Sequence, residues 1–383
     1  MIRFQEGSKP VLFKTMHVLA LAVLLVLVVT PVVSLGKPKK PTRNPFTGEL
    51  LKDEAPPKAV VVITGASTGI GRDTAIEFAK NPLYKVYATM RNVDAADFTE
   101  ASMSAEQEGA HLENIVVMAM DVTDEASVRS CVEGVLEAEG AIDVVVNNAG
   151  YGIAACLEGA TVTEAQRLFD VNVWGAVRVL QAVLPSMRKR KSGHVINVSS
   201  TSGVRGIPCM EYYTGSKFAL EGIADSMRYS LAAYDISITQ VNPGPVRTAF
   251  TDTFGAVEKG GRGTRPIPGE GRPTAEEPHL SYLTDLTQMV VDRLNHRMQT
   301  DEAQGSEDVA KIIVHLAVIK KDTSRLEDVP FSIGTNAASQ AVLEAVKKQP
   351  TGWGGMYHNL LGSMPKLPTR ESHLAQEQGH EEL

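Results

Sequence analysis

Short apolar runs and polar, glycine-rich breaks alternate along this chain from Ala59 to about Thr239. Runs such as Val60–Thr64 are mostly β-branched and are bounded by glycine, asparagine or aspartate, the mark of strands buried on both faces. The pattern predicts strands at Val60–Thr64, Val86–Met90, Ile115–Ala119, Asp143–Asn147, Gly193–Val198 and Ile236–Val241, with a seventh at Phe331–Ile333. Helical spacing of apolar residues fills the intervals, so the fold class is α/β, one doubly wound parallel sheet flanked by helices. The sixth strand must end at Asn242-Pro243-Gly244, because proline has no N–H to give to a ladder. A helix is expected from Tyr213 to about Ala232, and amphipathic helices at Tyr282–Met298 and at Ser306–Ile319, the latter capped by S-E-D. Phe250 to about Pro278 is so rich in glycine, proline and charge that it reads as a loop.

Composition narrows the function. The 383 residues carry a net charge of −7 and no basic stripe, which excludes a nucleic-acid role. Three cysteines, Cys131, Cys156 and Cys209, are too few for a dense disulfide framework and show no metal-ligand spacing, so they are expected to be neutral thiols and no metal is expected. His194 opens a core strand and reads as structural. Asn197-Val198-Ser199 is a glycosylation sequon, but its place in a strand predicts burial.

The chemistry lies in Y-T-G-S-K. Tyr213 and Lys217 are four residues apart and share one helical face, with Ser200 thirteen residues upstream. A free phenol has a pKa of about 10, and a neighbouring ammonium favours the phenolate, so Lys217 is expected to lower Tyr213. Reaching neutrality needs roughly 4 kcal/mol at about 1.36 kcal/mol per unit, more than one screened ammonium supplies. A bound oxidised nicotinamide would bring a second positive charge. T-G-A-S-T-G-I-G offers it a place, since Gly65, Gly69 and Gly71 follow a strand and open a helix, the context of a dinucleotide-binding Rossmann turn. The second strand ends in Arg91 with no acid before Asp94, which favours the 2′-phosphate of NADP(H) over NAD, whose ribose wants an acid there.

These motifs, with D-V at Asp121 and Val122, N-N-A-G at Asn147–Gly150, Asn172 in D-V-N-V and N-P-G-P-V at Asn242–Val246, occur in the order seen in short-chain dehydrogenases/reductases. K-V-Y-A-T-M-R, the span Asn172–Pro185 and S-K-F-A-L-E-G resemble more narrowly the branch of 17β-hydroxysteroid dehydrogenases and photoreceptor-type retinol dehydrogenases. The resemblance implies a tetrad: Tyr213 as acid/base, Lys217 lowering its pKa and holding the nicotinamide ribose, Ser200 bonding the substrate oxygen, and Asn172 holding a relay water. It implies cofactor contacts at Gly65, Ser67, Gly69, Ile70, Gly71, Arg91, Asp121, Val122, Asn148, Ala149, Gly150, Tyr213, Lys217, Pro243, Gly244, Val246 and Thr248, and substrate contacts at Ser200 and Tyr213. The activity it implies is NADP(H)-dependent interconversion of a hydroxyl and a carbonyl on a hydrophobic, steroid-like or retinoid-like substrate. The alternatives are another lipid carbonyl, such as a long-chain 3-keto intermediate, and a non-catalytic nucleotide-binding scaffold. Family members pair through helices that correspond to Glu164–Lys189 and Tyr213–Tyr234, which implies a homodimer.

The chain therefore divides into a signal peptide or signal anchor (1–36), a linker (37–57), the NADP-binding catalytic Rossmann core (58–250), a lid loop with substrate-side helices that cover the site (251–362), and a polar tail (363–383). Val18–Val29 is almost wholly apolar after Arg3, Lys9 and Lys14, as a secretory signal or a membrane-associating anchor would be. His380–Leu383 reads H-E-E-L, close to the tails that a retrieval receptor returns to the endoplasmic reticulum. K-P-K-K-P-T-R beyond the apolar segment argues for a cytosolic face. The paired signals predict the endoplasmic reticulum, lumenal rather than cytosol-facing.

Overall fold

The computed structural model describes residues 58–99, 103–104, 108–250 and 287–348, apart from 289, 293, 301–302 and 323–328. The N-terminal apolar segment, the expected loop from 251 and the H-E-E-L tail lie outside these residues. Among the described residues no helix is long and apolar enough to cross a membrane.

Seven parallel strands form one sheet: β1 (Ala59–Thr64), β2 (Tyr84–Met90), β3 (Ile115–Ala119), β4 (Val144–Asn147), β5 (Gly193–Val198), β6 (Ile236–Asn242) and, after a separate short pair described below, β9 (Ser332–Gly334). Their order is β3-β2-β1-β4-β5-β6-β9. β1 thus has β2 on one side and β4 on the other, and the reversal of winding between β1 and β4 opens a crevice at the carboxyl ends of the strands. All seven expected strands are present. The third and fifth have the expected bounds, while β2 starts two residues earlier, at Tyr84, because the Phe78–Tyr84 ring contact buries that tyrosine with the strand.

Helices cover both faces. On one side α1 (Gly69–Ala79) packs Ala75 and Phe78 against β1 together with Val309, Ile313 and Leu316 of α6 (Ser306–Asp322). On the other lie α2 (Glu125–Glu139), α4 (Ala176–Arg190) and α5 (Glu211–Ala232), with Val128, Val183 and Leu231 buried. Each such side chain is worth about 1.5–3 kcal/mol when fully removed from water. The helix expected at Ser306–Ile319 is therefore core.

The span Glu164–Lys189 holds two α-helices joined by a π-helical turn. α3 (Val162–Phe169) begins with a capping box, in which Thr161 Oγ1 accepts from the Glu164 N–H and the Glu164 carboxylate accepts from the Thr161 N–H. It passes through one π-helical turn, Asp170–Gly175, before α4. That turn shifts the phase of the side chains, and Asn172 stands in it.

A separate two-stranded sheet pairs β7 (Val246–Arg247) with β8 (Gln304–Gly305). The chain closes with α7 (Ala337–Lys348), which follows β9.

Candidate active site

The turn between β1 and α1 is shaped by atoms that leave no room for side chains. Gly65 has φ +63°, and a Cβ there would lie 2.8 Å from the Ala149 Cα. A Cβ on Gly71 would lie 2.5 Å from the Gly65 carbonyl oxygen and would overlap Asn148 Nδ2. Asn148 clamps this turn, donating from Nδ2 to the carbonyls of Thr64 and Gly65 at 2.9 Å each. Thr64 Oγ1 accepts in turn from the N–H groups of Asn148 and Ala149, both at 3.0 Å. Thr68 caps α1 without a side-chain hydrogen bond, so the first N–H groups of the helix stay available to an anion.

The remaining residues expected at the cofactor surround this turn. Ser67 and Ile70 lie in it, half-buried. Arg91 directly follows β2 and is exposed; the Ala66 N–H donates to the Thr89 carbonyl, which holds the end of β2 beside the glycines. Asp121 follows β3, and its Oδ1 accepts from Thr123 N–H at 2.9 Å and Thr123 Oγ1 at 2.7 Å. Val122 is buried, and its carbonyl accepts from Arg178. Beyond β6, Pro243 accepts from the Thr201 N–H, Gly244 lies near Asn336, and Val246 enters β7. Thr248 stands over the glycine turn, 3.1 Å from where a Gly69 Cβ would be.

The four expected catalytic residues converge at one end of β4 and β5. Tyr213 and Lys217 occupy the first turns of α5, and both are buried. Ser200 follows β5, accepts from the Ser202 N–H at 3.0 Å, and hydrogen-bonds Tyr213. Lys217 donates to the Val198 carbonyl at 2.9 Å and lies 5.8 Å from the centre of the Tyr213 ring. Asn172 accepts from the Tyr151 N–H at 3.0 Å and donates to the Tyr151 carbonyl at 2.9 Å and to Ser216 Oγ at 3.1 Å. Gly150 joins the group: a Cβ there would meet Asn172 Oδ1 at 3.1 Å and Lys217 Nζ at 3.7 Å.

One expectation is corrected here. Lys217 does not lower Tyr213 in the protein alone, because burial pushes Tyr213 up to about 12 and only the Ser200 hydrogen bond opposes it. The lysine is itself lowered to about 8 by burial, with Glu221 pulling the other way.

The cysteine expectation is also corrected. Cys156 and Cys209 form a disulfide across 53 residues, tying the loop after β4 to the residues just before α5. The adjacent Ala155 and Met210 form a parallel bridge that aligns the two segments. Cys131 is a buried free thiol, pushed up to about 11 by desolvation. His194 is buried against Thr239 Oγ1 at 3.0 Å, and Asn197 is fully buried, as expected of structural residues.

The sequence suggested substrate-side helices but assigned none of their residues to the site. Phe250 tilts against Tyr213 with ring centres 5.7 Å apart, and Ile153, Leu168, Met210 and Leu294 gather in the same cluster. Leu294 is helical, so part of the helix expected at Tyr282–Met298 packs against the cluster that includes Tyr213.

Known proteins agree with this architecture. Retinol dehydrogenase 8 of Bos taurus is 38% identical over 256 residues, 66% of this chain and 76% of that protein. The 17-beta-hydroxysteroid dehydrogenase type 1 of Homo sapiens is 39% identical over 198 residues, 51% of this chain and 59% of its own. A crystal structure of a short-chain dehydrogenase from Streptomyces avermitilis superposes with a TM-score of 0.58 at 25% identity, covering 80% of this chain and 98% of that one. The short chain dehydrogenase family matches residues 59–259, which contain the glycine turn and the whole tetrad. The chain belongs to the short-chain dehydrogenase/reductase family of oxidoreductases, in the branch that holds retinol dehydrogenase 8 and 17-beta-hydroxysteroid dehydrogenase type 1.

Proposed function

We infer that this enzyme reduces a carbonyl, or oxidises the corresponding alcohol, on a retinoid-like or steroid-like molecule with NADP(H). The observation that carries the reading is the group formed by buried Tyr213 and Lys217 with half-buried Ser200, with Phe250 against the Tyr213 ring and Leu294 in the same apolar cluster. An apolar wall removes a hydrophobic substrate from water at about 25 cal/mol per Å² and brings its oxygen to two hydroxyls. NADP(H), when bound, supplies or accepts the hydride. Ser200 bonds the substrate oxygen, and Tyr213 exchanges a proton with it. With Tyr213 near 12, the phenol holds its proton at neutral pH, which suits it to donate during carbonyl reduction. Lys217, on the same face of α5, is the charged group nearest to replace that proton.

The choice of NADP(H) rests on Arg91, which sits exposed beside the glycine turn where a 2′-phosphate carries its charge. The Cys156–Cys209 disulfide supports a lumenal site in the endoplasmic reticulum, because such a bond persists in an oxidising compartment.

The test uses the full chain in mild detergent, with retinals, ketosteroids and long-chain 3-keto lipids as substrates and NADPH or NADH as donor. Wild type is expected to turn over one of the first two classes with NADPH preferred. Tyr213→Phe is expected to lose on the order of 10²–10⁴-fold in kcat while keeping its NADPH affinity. Arg91→Ala should erase most of the preference for NADPH. Equal use of both donors by wild type rejects the Arg91 reading, and an active Tyr213→Phe variant rejects the mechanism.

A further inference from the structure

Glu221 is four residues beyond Lys217 on α5, so the two side chains share a face. Its carboxylate accepts from Asn242 Nδ2 at the end of β6. The same Nδ2 donates at 3.1 Å to the carbonyl of Ser200, and Asn242 Oδ1 accepts from Ser332 Oγ at 3.0 Å. Asn242 is fully buried. One amide therefore ties three elements: the helix that carries Tyr213 and Lys217, the turn that carries Ser200, and the edge strand β9. Gly203 closes the arrangement, because a Cβ there would lie 3.0 Å from Glu221 Cγ and 2.7 Å from Ser199 Oγ. The helix of Tyr213 and Lys217 and the turn of Ser200 are fastened to each other through Asn242 at Glu221.

We propose that Glu221 is a positioning residue for proton transfer: through Asn242 it fixes the Ser200 turn to α5, and its negative charge keeps Lys217 cationic. This rests on the reading of Tyr213 and Lys217 given above. The charged groups that act on Glu221 are Lys217 and Asp225 of its own helix, and the neighbours from other elements, Ser199, Gly203 and Asn242, carry no charge. Burial raises Glu221 to about 7, against the hydrogen bonds of Ser199 and Asn242 and the charge of Lys217. Lys217, lowered to about 8 by burial, is the group that the Glu221 charge pulls upward.

Two variants separate the two roles. Glu221→Gln keeps an acceptor for Asn242 and removes the charge, and Glu221→Ala removes both. The measurements are NADPH affinity by fluorescence as a function of pH, kcat and KM over the same range, and melting temperature. Glu221→Gln is expected to move the alkaline inflection of both NADPH affinity and kcat to lower pH, by about one unit, as Lys217 loses its counter-charge. Glu221→Ala is expected to show that shift and a further loss of about 10-fold in kcat, with substrate KM nearly unchanged. A rate loss that leaves the pH inflection where it was, or that follows the loss of folded protein, makes Glu221 a purely structural residue and overturns the proposal. If wild type turns over none of the carbonyl substrates but the NADPH-affinity inflection still moves in Glu221→Gln, the charge coupling stands and the reaction assigned above is what fails.

Discussion

The glycine turn after β1 and the tyrosine–lysine turn of α5 meet at one segment, N-N-A-G, yet they are built in opposite ways. Ala149 presses on Gly65 and Gly150 presses on Asn172 and Lys217. On the glycine side, the turn is shaped mainly by main chain, and what it requires is the absence of atoms. On the catalytic side the site is made of side chains, and what matters is their protonation in a buried place. The first kind of site tolerates no addition and is indifferent to pH. The second depends on charge as well as on space.

The largest break in this contrast should come from a single methyl group. Gly71→Ala places a Cβ 2.5 Å from the Gly65 carbonyl oxygen, main chain that cannot swing away, so NADPH affinity should fall at least about 100-fold, with a lower melting temperature. Fluorescence titration and calorimetry check both; near-normal affinity would mean that the turn is more pliable than its contacts imply. Next in size, reducing the Cys156–Cys209 bond or replacing Cys156 with serine should cost about 2 kcal/mol, a few degrees in melting temperature. NADPH affinity should hold and substrate KM should rise, because the bond fastens the catalytic side alone.

The smallest effect has the opposite sign. Lys217 in the folded protein is lowered to about 8 from 10.5, so its burial favours the fold above about pH 10.5, and that contribution is lost as pH falls through about 8. At pH 7 the buried ammonium is a cost. Lys217→Met should therefore raise stability at pH 7 by about 1–2 kcal/mol while abolishing turnover, and the gap should close toward pH 10.5. Melting curves across that range decide it. No gain at pH 7 would show that the bond to the Val198 carbonyl offsets the desolvation.

What the sequence made legible follows the same division. Strands such as Ile115–Ala119 and Gly193–Val198 were readable because β-branched runs end abruptly at turn residues, and the glycines were readable because their spacing is the structure. Tyr213, Lys217, Ser200 and Asn172, read from motifs far apart in the chain, lie close together in the fold. Their electrostatics were not readable: a lysine four residues away suggested a lowered phenol, and burial, which no spacing records, prevailed. The π-helical turn at Asp170–Gly175 was hidden because one displaced hydrogen bond leaves the apolar pattern of a helix almost intact. The cysteine pair was hidden because pairing across 53 residues depends on where two loops are carried by the sheet.

The short pairing of β7 with β8 has a consequence of another kind. Arg247 reaches the Ala303 carbonyl across 56 residues of chain, and the Gln304 N–H donates to the Pro245 carbonyl, so both ends of the intervening stretch are stapled at one place beside the crevice. Doubling the length of a stapled excursion costs only about 0.6 kcal/mol in closure entropy. The stretch is thus a cassette with fixed ends. Its length can therefore change at little cost, provided that Thr248, Phe250 and Leu294 are kept where they meet the glycine turn and the Tyr213 cluster.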